Sequence, residues 1–150
     1  MITTRRTTSD HPDFVLLVEQ LNAELRSRYG EQQKFFDQFN KLDTIRHAVV
    51  AYDDETPVGT GAIREFAPDT MEIKRMFVSE GMRGRGVASI VLTELERWSR
   101  EMKYKKCVLE TGDRLAEAVK LYQKSGYKRI ANYGQYIGVA ESLCFGKDLI

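Results

Sequence analysis

The sequence is poor in the residues that staple a chain or bind metals. Its two cysteines, Cys107 and Cys144, lack C-x-x-C spacing and lie in apolar, strand-like runs. That excludes a disulfide framework or zinc site and leaves two reduced thiols as the expectation. His11 and His47 are the only histidines, without ligand-spaced partners, so no metal is expected. Long apolar runs are missing too. After Arg5 and Arg6 the next apolar stretch, Phe14 to Val18, is five residues, too short for a signal-peptide core. Nothing approaches the ~18 apolar residues of a membrane span, so no membrane partner and a cytoplasmic location are expected. An excess of one charge is also lacking: 23 Lys+Arg face 22 Asp+Glu, for a net +1, which argues against a nucleic-acid partner. No repeat, linker or low-complexity tract interrupts the chain. What remains is 150 residues, 42% hydrophobic and 30% charged. This is the balance of one compact domain spanning 1–150, with no room for a targeting or partner domain.

The pattern along the chain changes character at its middle. Residues 2–7 alternate weakly, as an edge strand does. Ser9 and Asp10 offer helix N-caps before Pro12, and Phe14, Leu17, Val18, Leu21 and Leu25 follow at helical spacing up to Gly30. Phe35, Phe36 and Phe39 suggest a second, shorter helix. His47–Tyr52, Val58–Phe66 and Met71–Val78 read as three strands joined by short turns, an antiparallel meander. Beyond Val78 the order is helix (Ala88, Val91, Leu92, Leu95, Trp98, Met102), strand (Lys106–Thr111), helix (Leu115, Ala118, Val119, Tyr122) and two strands (Tyr127–Ala131, Glu141–Asp148). Gly126 is placed to close the last helix. A mixed sheet covered by helices follows, with a right-handed crossover around the long helix.

Between the meander and that helix lies Gly81-Met82-Arg83-Gly84-Arg85-Gly86-Val87-Ala88. Gly84 and Gly86 let the backbone bend and present successive N–H groups, and the helix start adds its unpaired amides and positive dipole end. Arg83 and Arg85 oppose that dipole unless an anion sits there, so the segment reads as a phosphate or pyrophosphate site. It lacks the G-K-[ST] of a P-loop. Gly84-x-Gly86-x-x-Ser89 approaches a dinucleotide fingerprint, with Glu110 ending the next strand, but five residues separate Val78 from Gly84 and the chain opens with a meander.

Arg83 to Ala88 also fits [QR]-x-x-G-x-[GA], and Leu121-Tyr122-Gln123-Lys124-Ser125-Gly126-Tyr127 fits L-Y-x-x-x-G-[FY]. With Arg75-Met76-Phe77-Val78 as the central strand, these motifs and the order of elements resemble the GNAT superfamily of acetyl-CoA-dependent N-acetyltransferases. The resemblance implies an α/β (α+β) fold: a mostly antiparallel sheet of six to seven strands with one splayed parallel pair, flanked by about four helices. It implies acetyl-CoA as co-substrate, its pyrophosphate on Arg83, Gly84, Arg85, Gly86, Val87 and Ala88. Its pantetheine arm would lie along Met76, Phe77 and Val78, where a backbone N–H would face the thioester oxygen. Lys124, and also Arg114, would serve the adenosine-side phosphate. Tyr122 becomes the general acid for the leaving thiolate, although it also falls on the apolar helix stripe. Glu72 becomes the general base, with an ion pair to Lys74 or Arg64 as the alternative, and strand alternation puts it on the face of Lys74, Met76 and Val78. Glu110 is a second candidate for the base or for binding the amine.

One departure from the family pattern stands out: where many members carry an asparagine three residues before the small residue of the last helix, here Ala118, this chain has Leu115. The acceptor is expected to be a primary amine of a small molecule or peptide, attacking directly through a tetrahedral intermediate. Tyr133 and Tyr136 would line its entrance, with Tyr29 and Phe35 as further aromatic candidates. An acyl-CoA-binding sensor without transfer activity is the alternative, ahead of a dinucleotide-binding protein. An exposed final strand or helix face could serve a homodimer.

Overall fold

The structure, a computed structural model, describes residues 1–30 and 45–149. Strand β1 (Ile2–Thr7) is followed by helix α1 (Pro12–Tyr29) and the meander β2 (His47–Asp53), β3 (Thr56–Ala67) and β4 (Thr70–Val78). Then come α2 (Val87–Glu101), β5 (Lys106–Gly112), α3 (Ala116–Lys124), β6 (Lys128–Ile130) and β7 (Ser142–Asp148). The strands form one seven-stranded sheet in the order β1-β2-β3-β4-β5-β7-β6, with every pairing antiparallel except β4 with β5. This is the mixed sheet with one parallel pair that the sequence leads one to expect. Among the described residues there are three α-helices; the helix expected at Phe35, Phe36 and Phe39 lies outside them. No helix among the described residues is long and apolar enough to cross a membrane.

The helix ends follow local chemistry. His11, rather than Ser9 or Asp10, caps α1: its Nδ1 accepts the Asp13 N–H at 3.1 Å, and Pro12, with no N–H to satisfy, takes the first helical position. Gly30 ends the helix at a positive φ of 59°. The two faces of the sheet carry separate cores. Phe14, Leu17, Val18 and Leu21 of α1 pack with Ala48, Val50, Ala62 and Phe77. Val87, Val91, Leu92 and Leu95 of α2 pack on the other face with Val49, Ile63, Met71 and Ile73, joined by Tyr122 of α3. Each fully buried aliphatic side chain contributes about 1.5–3 kcal/mol.

Two irregularities in β4 shape the molecule. Its parallel pairing with β5 runs only from Thr70↔Lys106 to Ile73↔Leu109 and then stops, while β5 stays paired to β7 through Gly112. Just beyond, between Ala62↔Lys74 and Thr60↔Phe77, Arg75 and Met76 together face the single residue Gly61 of β3, so β4 carries a bulge. Arg75 adopts a left-handed φ of 61°. Gly61 has to be small there, because a Cβ would lie 2.6 Å from Met76 Sδ and 2.8 Å from Leu95 Cδ1. The extra residue reverses the alternation expected from the sequence. Glu72 and Lys74 share the α1 face with Phe77, whereas Met76 and Val78 join Met71 and Ile73 against α2. The expected common face of Glu72, Lys74, Met76 and Val78 therefore divides at Arg75.

Candidate functional site

The parting of β4 from β5 opens a groove, and the sequence-predicted residues lie along it in two stretches. The wider stretch, a cavity of about 310 Å³, runs from the glycine turn past Met76, Phe77 and Val78 to Leu115, Ala118 and Leu121 of the opposite wall. Gly84 and Gly86 take left-handed φ values of 82° and 80°, the conformation glycine adopts without steric cost. A Cβ at either would meet nothing within 4 Å, so the space over the turn is open. Gly86 is the N-cap of α2, whose first bond at this end is Ile90 N–H to Gly86 O at 3.1 Å. The amides of Val87, Ala88 and Ser89 precede that bond and have no intrahelical acceptor.

The charged side chains of the turn are less direct participants. Arg83 turns back: its Nε donates to the Val78 carbonyl at 2.9 Å and its Nη2 to Glu24 Oε1 at 2.7 Å, with the guanidinium over the Phe77 ring. It spans the groove from the turn to α1. Arg85 is exposed and forms no part of the groove wall, and Lys124 is exposed in the last turn of α3, outside both cavities. Arg114 lies over the Tyr29 ring and donates to the Arg28 carbonyl at 3.0 Å, tying the β5–α3 loop to the end of α1.

The narrower stretch is a chamber of about 130 Å³ lined by Glu72, Lys74, Glu110, Tyr29 and Tyr136. Leu21, Leu25, Met76, Leu115, Ala118 and Tyr122 line both cavities, which makes them one continuous groove. Tyr122, 5% exposed, stands at the junction. Burial, then the Glu110 charge, pushes its phenol far above the ordinary value, so it stays protonated. No described residue hydrogen-bonds its hydroxyl.

Glu72 is 1% exposed and fully engaged. Arg64 Nε donates to its Oε1 at 3.0 Å and Tyr133 Oη to its Oε2 at 2.7 Å. Tyr133 itself lines neither cavity; its ring packs on Phe66 and Tyr136 and its hydroxyl serves Glu72. Lys74, 8% exposed, donates from Nζ to Tyr136 Oη at 3.2 Å. Burial lowers its affinity for a proton, against a smaller opposing effect of Glu72. Glu110 Oε2 accepts the Ser142 hydroxyl at 2.7 Å, and burial raises its carboxyl above the ordinary value, opposed by that bond and by Lys74. Among the described residues no group of three His, Cys, Asp or Glu is placed to hold a metal ion.

Lys74, Ser89 and the α1 residues Leu21, Leu25 and Glu24 are wall residues that sequence reasoning did not assign. A lysine inside Met-Glu-Ile-Lys-Arg-Met-Phe-Val, an otherwise buried strand, was a signal available for the first of them. The α1 residues carried none, since leucines on a helix stripe read as core.

Comparison with known proteins agrees with this architecture. Residues 14–127 match the Acetyltransferase (GNAT) family. A relative in Escherichia coli (strain K12), named as the uncharacterized N-acetyltransferase YjgM, is 30% identical over 138 residues, covering 84% of this chain and 81% of its own. A candidate acyl-CoA N-acyltransferase of Klebsiella pneumoniae superimposes with a TM-score of 0.84 at 24% identity, over 100% of this chain and 99% of that one. A GNAT family acetyltransferase of Elizabethkingia anophelis, solved with acetyl-CoA bound, does so at 0.72 and 19% identity, over 98% and 97% of the two chains.

Proposed function

The chain belongs to the GNAT acetyltransferase family and is an acyltransferase, and from that premise we propose that it moves the acetyl group of acetyl-CoA to a primary amine. The observation that carries this reading is the continuity of the groove: an open turn of backbone amides at one end, a chamber of buried titratable groups at the other, and Tyr122 in the wall of both. The groove fits the co-substrate on its own terms. Left-handed Gly84 and Gly86 leave room above amides that lack acceptors, which suits a pyrophosphate. The stretch of β4 beyond Ile73 is not paired with β5, which suits a pantetheine arm that pairs with backbone at Met76 to Val78.

Acetyl-CoA supplies a thioester whose carbonyl carbon accepts the amine nitrogen while the C–S bond breaks and the sulfur leaves as thiolate. Tyr122, protonated and without a hydrogen-bond partner among the described residues, gives its proton to that sulfur. The amine must shed a proton. Glu72 and Glu110 were both foreseen for that task, and the engagement of both Glu72 oxygens by Arg64 and Tyr133 favours Glu110, whose raised proton affinity suits a base. Glu72 then fixes Tyr133 and the chamber's far wall. Release of free thiol from acetyl-CoA in the presence of primary amines tests the reading. Acetyl-CoA binding without thiol release across a broad amine panel would turn it into the sensor reading. A thermal shift with NAD in place of acetyl-CoA would turn it into the dinucleotide one.

A further inference from the structure

Lys74 and Glu110 occupy a special place in the sheet. The parallel register pairs Thr70 with Lys106, Met71 with Cys107, Glu72 with Val108 and Ile73 with Leu109, so the next step would set Lys74 beside Glu110. The strands part at that step. Opposite charges thus flank the point where the groove opens, both lining the chamber, and they do not close on each other. Lys74 is held by the Tyr136 hydroxyl and Glu110 by the Ser142 hydroxyl, and neither is in an ion pair with a described residue. An ammonium has three donors and a carboxylate several acceptor sites, so each keeps unused capacity toward the cavity.

Of the other charged residues that line the chamber, Glu72 is neutralised by Arg64 at 3.0 Å and Arg75 donates from Nη1 to Asn22 Oδ1 at 3.0 Å. Among the described residues, Lys74 and Glu110 thus face the cavity as a cation and an anion without an ion-pair partner, at neighbouring register positions and largely removed from water. A simple cationic amine would pair Glu110 and leave Lys74 unmatched, with a second positive charge brought beside it. A molecule carrying both charges matches the two together and adds no net charge.

Resting on the acetyl-transfer reading above, we infer that the acceptor is a small zwitterion of the free α-amino acid type. Its carboxylate accepts from Lys74 Nζ and the Tyr136 hydroxyl, and its amine faces Glu110. The chamber's volume of about 130 Å³ suits a small molecule of this kind.

The test compares matched acceptors: glycine, L-alanine and L-serine, their primary amides, and methylamine, ethylamine and ethanolamine, which lack the carboxylate. The wild-type protein is expected to favour at least one amino acid over its amide and its amine by roughly 10-fold or more in kcat/KM. Lys74→Met is expected to bring that ratio close to one, through KM of the amino acid rather than kcat, while its thermal shift with acetyl-CoA stays as in the wild type and certifies the fold. A preference for the amides or simple amines, or a ratio unchanged in Lys74→Met, overturns the inference. The same compounds added to the CoA-saturated protein give a readout independent of transfer. A rise in Tm with amino acids and none with amides upholds the zwitterion site even if no acetylation occurs, which would sink the transfer reading alone. No preferential rise together with no transfer would sink both.

Discussion

At its wide end the groove is walled by backbone and apolar side chains drawn mostly from short contiguous stretches, residues 76–78, 82–84 and 86–89 with the facing turn of α3. At its narrow end the shared apolar wall is joined by polar side chains from α1, β4, β5 and the loop before β7, brought together only by the finished fold. The difference is one of material. Backbone amides present the same donors whatever the side chains are, so the wide end can hold a constant group with almost any sequence that keeps its two left-handed glycines. Charged side chains present what they are, so the narrow end can be retuned one residue at a time. A protein with one unvarying co-substrate and a selective acceptor is served by that division.

Substitutions at the junction and at each end probe it. The largest effect is expected from Tyr122→Phe, where the two ends meet. The loss should be about 10²–10⁴-fold in kcat, with KM for acetyl-CoA nearly unchanged. A loss expressed mainly in acetyl-CoA affinity would instead assign Tyr122 to the wall of the wide end. Next comes Arg64→Met, which leaves the buried Glu72 carboxylate without its partner. Because Arg64 is partly solvated, the cost should be about 2–3 kcal/mol, a fall in Tm of roughly 5–10 °C by calorimetry.

Gly86→Val forces a β-branched residue into a left-handed conformation, a strain of about 1–2 kcal/mol. Acetyl-CoA affinity should weaken roughly 10-fold by titration calorimetry, whereas the neighbouring Arg85→Ala, which changes only an exposed side chain, should have little effect. Equal effects of the two would mean that the wide end depends on side chains after all. On stability the smallest effect is expected from Glu110→Gln, whatever its loss of transfer activity as the proposed base. With its proton affinity raised by burial, folded Glu110 holds a proton at pH values where the unfolded chain, near the ordinary ~4.3, has released it. The wild type therefore loses stability as pH rises through that interval, and the glutamine variant does not. Melting curves from pH 4 upward should show the variant gaining on the wild type and then running parallel. Lys74 contributes in the opposite sense and on the alkaline side, because the unfolded chain there binds the proton that folded Lys74 gives up.

The same division of material governs what could be read in the sequence. The glycine turn, its helix and the edge of β4 lie within one stretch, and local chemistry announces them. The meander and the crossover follow from element order, and the splayed parallel pair from the family resemblance, whereas the insertion of β7 between β5 and β6 has no local signal. The chamber was harder. Glu72, Glu110, Tyr133 and Tyr136 could each be singled out as reactive or aromatic residues, but their partnerships span 32 to 62 positions of sequence. Tyr133 was expected at the entrance and is instead spent on Glu72. Lys74 was passed over because its neighbours read as an ordinary strand. Alternation holds from Glu72 to Lys74 and fails at Arg75, since nothing in Lys-Arg-Met signals a left-handed residue that is not glycine.

That residue has a consequence for how β4 can change over time. An extended chain keeps a two-beat rhythm, and a single added beat puts everything after it out of phase with everything before. Ahead of Arg75 the inward beats fall on Glu72 and Lys74; after it, the α1 side receives Phe77. The hydrogen bond from Arg75 Nη1 to Asn22 Oδ1 at 3.0 Å anchors the off-beat residue to α1. Straightening the bulge with that residue kept would turn the downstream half of the strand over, sending Phe77 toward α2 and Met76 toward α1, whereas deleting it would leave Lys74, Met76 and Phe77 in plain alternation on their present sides. Kept in place, the bulge lets a single strand offer Glu72 and Lys74 to the narrow chamber and Phe77 and Val78 to the wide cavity.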